Sequence, residues 1–260
     1  MCTAFIHRGT DVIYGFNMDI NAEAFSWEVV AEKDAFYVAF TPINGDKYFT
    51  SACGIPEGYA DYLGNELRVQ GVNSKGIFAV QLNNMGCKGA PFEVSEDAYP
   101  LYGIVDNLLS GRITIKEAEE IAMNKRLLNM PTGGIDIPDI AMHSLVADAT
   151  GNMLLLEPGN GFARLCGRYS ILSNFPILVH PKDLDDEHRG FYGLDRYEIA
   201  NRILTEADDS FGVQDGLKLL NAVKQIGHWA TRISFVWSKN ENAVYYVLEN
   251  DFEHVIRHAF

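Results

Sequence analysis

The sequence predicts an α+β fold in which antiparallel hairpins are interrupted by blocks of helix. Strand-like segments recur in pairs around turn residues, capped helical stretches sit between those pairs, and single strands do not alternate with single helices as a parallel sheet would require. In chain order, Cys2 to His7 is strand-like and is followed by Val12 to Phe16. Phe36 to Thr41 and Lys47 to Ala52 flank Asn44-Gly45, a pair suited to positive φ. Leu67 to Val72 and Ile77 to Asn83 flank Asn73-Ser74-Lys75-Gly76. Met142 to Ala147 and Met153 to Glu157 flank Asp148-Ala149-Thr150-Gly151. Helix is expected over Tyr102 to Leu109 and again after Thr114, where Glu117 completes a capping box ahead of Ala118, Ile121 and Ala122. Ile199 with Ile203, and Leu217 with Leu220 and Val223, repeat at helical spacing. Ile233 to Trp237 and Ala243 to Leu248 close the chain as strands.

Length and composition set bounds. The chain has 260 residues, 47% of them hydrophobic and 22% charged, an ordinary globular mix that can bury a sizeable core. Without repeats or a Pro/Ser-rich linker, one domain over 1–260 is expected. No apolar run is long enough for a membrane span and no secretory h-region precedes the first strand, so a cytoplasmic protein without a membrane partner is expected. A formal net charge of -14 argues against nucleic acid, which needs clustered Lys and Arg. Part of that acidity is local, as in Asp183, Asp185, Asp186 and Glu187, which reads as a solvated loop. Neither a GxGxxG nor a GxxxxGK[ST] phosphate loop occurs, and no cofactor or metal is implied.

Of the four cysteines, Cys2, Cys53, Cys87 and Cys166, none forms a CxxC pair, and most should be small buried hydrophobes. Cys2 stands apart. It is small enough for the initiator methionine to be trimmed, which leaves a free α-amine on the same residue as the thiol. An α-amine has a pKa near 7.7–8.0 and can take the thiol proton near neutral pH. Asp19 follows the first hairpin and could return beside the terminus to orient that amine. Taken alone, Cys2 reads as an ordinary second-position cysteine and Asp19 equally well as a turn residue.

The opening Met-Cys-Thr, then GFNMD at 15–19, VNSKG at 72–76, QLNN at 81–84, MHSLVADATG at 142–151 with Glu157 beyond, LSNFP at 172–176 and LDRY at 194–197 together resemble the choloylglycine hydrolase family. That family contains bile salt hydrolases and penicillin V acylases. Each motif is weak alone; their shared order over most of the chain is what makes the resemblance specific. It implies a four-layer αββα sandwich of the N-terminal-nucleophile hydrolases, with two packed antiparallel sheets. It implies Cys2 as nucleophile, Asp19 as the carboxylate that holds the terminal amine, the Asn83 N–H and Asn174 side-chain amide as an oxyanion hole, and Arg196 as an electrostatic support. The expected reaction is hydrolysis of a linear, non-peptide amide through a thioester on Cys2. Transfer of the acyl group to an amine, or binding of an acyl ligand or bile salt without turnover, are the alternatives.

Two departures from the family pattern matter. The family usually carries arginine where this chain has Phe16, and an apolar ring there raises rather than lowers a thiol pKa. The readings are a different electrostatic arrangement with Arg196 or another cation compensating, a shifted substrate preference, or a weakly active relative. The stretch between Asn174 and Arg196 is also shorter than in typical bile salt hydrolases, so a monomer or dimer suits the sequence as well as a tetramer. The partner implied is a small acyl-amide substrate with a hydrophobic acyl group, for which Phe16, Phe25, Trp27 and Tyr62 are candidate wall residues.

Overall fold

The computed structural model describes residues 2–20, 26–41, 67–84, 95–129, 141–178 and 192–260. Among them two large antiparallel sheets form. The first, sheet A, has the order β12-β1-β2-β13-β14-β15. It comprises β1 (Cys2–Arg8), β2 (Val12–Asp19), β12 (Tyr169–Leu172), β13 (Thr231–Ser238), β14 (Ala243–Leu248) and β15 (Ile256–Ala259). The second, sheet B, runs β11-β10-β9-β6-β5-β4-β3. Its strands are β3 (Ser26–Ala31), β4 (Ala35–Thr41), β5 (Leu67–Asn73), β6 (Phe78–Asn83), β9 (Met142–Ala147), β10 (Met153–Glu157) and β11 (Gly161–Arg164). A short parallel pair, β7 (Ala98–Pro100) and β8 (Arg126–Leu128), stands apart.

Among the described residues four α-helices add the outer layers: α1 (Leu101–Leu109), α2 (Ile115–Asn124), α3 (Leu194–Glu206) and α4 (Val213–Ala222). Strand alternation sorts the core into three seams. Cys2, Ala4, Ile6, Phe16 and Met18 of sheet A meet Phe36, Val80, Leu82 and Leu145 of sheet B between the sheets. Tyr37, Ala79 and Val146 turn the other way, under Leu101, Ile104 and Ala118 of α1 and α2. Phe5, Ile13 and Val236 lie under Ala200, Leu204, Leu217 and Leu220 of α3 and α4. The expected αββα sandwich is therefore the observed one. Both sheets are covered on both faces, which is why β1 and β10 are buried almost continuously rather than at every second residue.

The hairpins around Asn73–Gly76 and Asp148–Gly151 form where expected, the second with the expected bounds. The partner segment 47–52 of the Asn44-Gly45 hairpin lies outside the described residues. The capping box at Thr114 is present in both directions, with Glu117 N–H donating to Thr114 Oγ1 at 3.2 Å and Thr114 N–H to Glu117 Oε2 at 2.7 Å. Such a cap contributes about 1 kcal/mol. Gly15 is opposite Phe5 on adjacent strands, and a β-carbon there would collide with the Phe5 ring. Cys166 is exposed because it falls in the surface connection from β11 to β12; Cys53 and Cys87 lie outside the described residues. Among the described residues no helix is long and apolar enough to cross a membrane.

Candidate active site

Cys2 opens β1, between β12 and β2 in sheet A, and is buried. Residues far apart in sequence hold its backbone. Its N–H donates to Asn174 Oδ1 at 2.7 Å, and its carbonyl accepts from Arg196 Nη1 at 2.6 Å. Arg196 Nη2 donates to the same Asn174 oxygen at 2.7 Å. Nη1 also reaches Thr3 Oγ1 at 2.8 Å and Asp19 Oδ2 at 3.3 Å. Thr231 Oγ1 donates to Asp19 Oδ1 at 2.6 Å. Asn174 Nδ2 donates to the Asn83 carbonyl at 2.8 Å. One connected set of hydrogen bonds thus joins Cys2, Asp19, Asn83, Asn174 and Arg196.

Local structure explains each placement. Arg196 lies in the first turn of α3 and is 2% exposed, where a helix-start arginine would ordinarily be solvated. Gly193, at φ +80°, starts that helix, and a β-carbon on it would strike Arg196 Nη2 and Ser173 Oγ, so only glycine leaves room for the guanidinium. The β13 register shifts between Thr231 and Ile233, and this bulge sets Thr231 opposite Asp19. Asn17, within the GFNMD segment, donates to the Leu220 carbonyl at 2.9 Å and ties β2 to the end of α4.

The register also determines what Asn83 can offer. Asn84 N–H donates to the Ala141 carbonyl at 2.7 Å, so Asn83 and Met142 form the following non-hydrogen-bonded pair. The Asn83 peptide groups consequently point away from β9, to the side that β5 no longer covers beyond Val80. That is the side from which Asn174 reaches the Asn83 carbonyl. An amide nitrogen carries two N–H groups, and this bond uses one of them.

The acceptor for the Cys2 N–H is Asn174 Oδ1, whereas Asp19 is engaged by Arg196 and Thr231. By strand alternation Thr3 and Asp19 point to the helix side of sheet A, where Arg196 arrives, and Cys2 and Met18 point between the sheets. Phe16, expected as a pocket wall, is fully buried in the inter-sheet core, its ring centroid 5.6 Å from that of Phe235. Trp27 is partly buried on the edge strand β3 and lies outside the hydrogen-bonded network. Phe25 and Tyr62 lie outside the described residues. Thr3, Ser173, Gly193 and Thr231 were missed by sequence reasoning; Gly193, directly before LDRY, was the one with a local signal.

Burial raises the Cys2 thiol pKa; the backbone N–H of Asp19 and the Arg196 guanidinium pull it back down. Burial likewise pushes the Asp19 carboxyl up to about 7, against Arg196 and the Thr231 hydroxyl. Between the ordinary value of 3.8 and about 7, the native state holds this proton and the unfolded chain has released it. Stability from this group is full below that window and is lost as pH rises through it. Asp19→Asn is expected to flatten the fall. Urea unfolding of both proteins at about pH 4.5 and about pH 7.5 checks this, and an identical fall in the variant would refute it.

The fold defines the class at the level of architecture: an αββα sandwich of two antiparallel sheets, shared with solved amide hydrolases. Among solved structures, the chain is similar to a C2A mutant of conjugated bile acid hydrolase from Clostridium perfringens. The match has a TM-score of 0.64 and 15% identity, and covers 99% of this chain and 92% of that one. An arginine-to-leucine variant of the same Clostridium perfringens enzyme matches with TM-score 0.60 and 13% identity, over 98% and 92% of the two chains. Penicillin V acylase from Agrobacterium tumefaciens matches with TM-score 0.59 and 13% identity, over 95% and 83%. No protein-family model and no curated protein sequence matches the chain. At such identities the likeness carries the fold, and the chemistry has to be argued from the site.

Proposed function

We propose that the chain is a cysteine N-terminal-nucleophile hydrolase of linear, non-peptide amides, of the choloylglycine hydrolase type, working as one amidase domain over 1–260. The observation that carries this reading is the fixing of Cys2 at both its N–H and its carbonyl by Asn174 and Arg196, side chains 172 and 194 residues away. A cysteine kept only for packing has no need of that.

Removal of Met1 turns the Cys2 nitrogen into an amine beside its own thiol. A thiol whose pKa is raised by burial needs a base, and the amine supplies one. His143 is no rival base: its Nδ1 lies 3.1 Å from Glu157 Oε1 and its Nε2 2.7 Å from the Ser173 carbonyl. The amine takes the thiol proton as sulfur attacks the acyl carbon. The Asn83 N–H and the second Asn174 Nδ2–H hold the oxyanion, where each donor contributes about 2.7–4 kcal/mol. The ammonium protonates the leaving nitrogen, the C–N bond breaks, and water hydrolyses the thioester. Arg196 supplies the cation that Phe16 does not, and Asp19 holds Arg196. The substrate is an amide of a hydrophobic acyl group, such as a conjugated bile acid or penicillin V.

Intact mass spectrometry tests the reading. The protein is expected to lack Met1 and, quenched in acid during turnover of penicillin V or glycocholate, to gain the mass of the acyl group. A retained Met1, or turnover with no acyl adduct, would refute it.

A further inference from the structure

A histidine–glutamate pair lies buried between the sheets and is not used in this chemistry. His143 on β9 and Glu157 at the end of β10 are both fully buried. His143 Nε2 faces the Ser173 carbonyl at 2.7 Å, an atom that only accepts, so Nε2 carries hydrogen. Glu157 accepts from the Ile177 N–H at Oε1 and the Leu178 N–H at Oε2, at 2.8 and 2.9 Å. Its Oε1 also faces His143 Nδ1 at 3.1 Å. N–H groups thus meet both Glu157 oxygens, as suits a carboxylate. Burial alone would favour a protonated Glu157, yet the bonds from His143, Ile177 and Leu178 hold its pKa below the usual range.

The bonds fasten backbone on both sides of one residue. The carbonyl of residue 173 and the amides of 177 and 178 are all held by this pair. Between them sits Asn174, whose oxygen meets Cys2 and Arg196 and whose nitrogen meets Asn83. β12, from which Asn174 continues, belongs to sheet A, whereas His143 and Glu157 belong to sheet B. The β1–β12 register, with Ala4 opposite Leu172, brings Asn174 level with Cys2, but the pairing ends at Leu172 and the contacts from sheet B hold the chain beyond it.

We propose that His143 and Glu157 are a positioning pair, holding the Ser173–Leu178 segment so that Asn174 meets Cys2 and Arg196. Its kinetic consequence rests on the amidase reading; its structural consequence does not. All of the polar atoms of the pair are engaged with each other and with backbone, so neither residue acts on substrate.

The test uses the full chain carrying His143→Gln, Glu157→Gln and both together, with penicillin V and glycocholate as substrates. Hydrogen exchange of the Asn174 side-chain amide is followed by NMR alongside. Each variant is expected to lose on the order of 10²-fold in kcat with KM within about threefold, the signature of a misplaced group. The Asn174 amide is expected to exchange at least about tenfold faster than in the unmodified protein. The double variant leaves no unpaired buried charge, so it should keep a Tm near that of the unmodified protein without recovering kcat or slow exchange. Should a single variant fail to fold, the double variant decides. Unchanged kcat and unchanged Asn174 exchange in the double variant would overturn the proposal. If the unmodified protein cleaves neither substrate, the amidase reading loses its support, and the exchange of Asn174 alone decides the positioning role.

Discussion

Replacing Cys2 with alanine is expected to abolish amide hydrolysis, lowering kcat/KM by at least about 10⁴-fold while the protein stays folded. The size follows from the economy of the site: nucleophile and base belong to one residue, the buried His143 has both nitrogens engaged, and the buried His7 lies five residues along β1 on its opposite face. Alanine fits the buried space of Cys2 and keeps the N–H and carbonyl that Asn174 and Arg196 hold, so Tm should move by only a few degrees. Substrate binding should survive, measurable by calorimetry on the inactive variant. Hydrolysis within about tenfold of the original rate would mean that the sulfur is not the nucleophile.

Arg196→Met is expected to cost about 3–5 kcal/mol of stability at about pH 8 and to remove most activity. The side chain is 2% exposed, and its loss leaves four oxygens without this donor: those of Cys2, Thr3, Asp19 and Asn174. The dominant cost is the Asp19 carboxylate, which at pH 8 is ionised in the native protein and would lose its cation. Below about 7 that carboxyl takes up a proton, so the destabilisation should shrink as pH falls to about 5. Asp19→Asn in the same chain should recover part of the stability at pH 8, but not the activity. Urea unfolding of the single and double variants at both pH values checks this. A loss independent of pH would show that the Asp19–Arg196 contact does not govern the cost.

Phe16 shows how far local reasoning reaches. Its position in GFNMD marks the departure from the family arginine, and that much is visible in the sequence. Whether the ring lines a cavity or fills a core depends on Phe235 and Phe36, which arrive from other strands. A buried aromatic at this point makes Phe16→Arg a test of core disruption rather than of thiol electrostatics. The short strands β11 and β12 were missed for a related reason. GFAR and YSIL carry too few apolar positions to show a period, and both become strands at sheet edges, paired to β10 and β1.

The sequence by itself determined the hairpins at Asn73–Gly76 and Asp148–Gly151, the Thr114 capping box, the helical repeats and the distinct chemistry of a cysteine in second position. Each of these depends on residues within a few positions of one another, where turn geometry and side-chain periodicity act. Only the tertiary structure decided that Asn174 receives the Cys2 N–H, that Arg196 is buried, and that His143 and Glu157 grip the chain around Asn174. Those contacts bring together residues from both sheets and from α3. Strand order and register bring such partners together, and a strand's own sequence encodes its periodicity but not its neighbour.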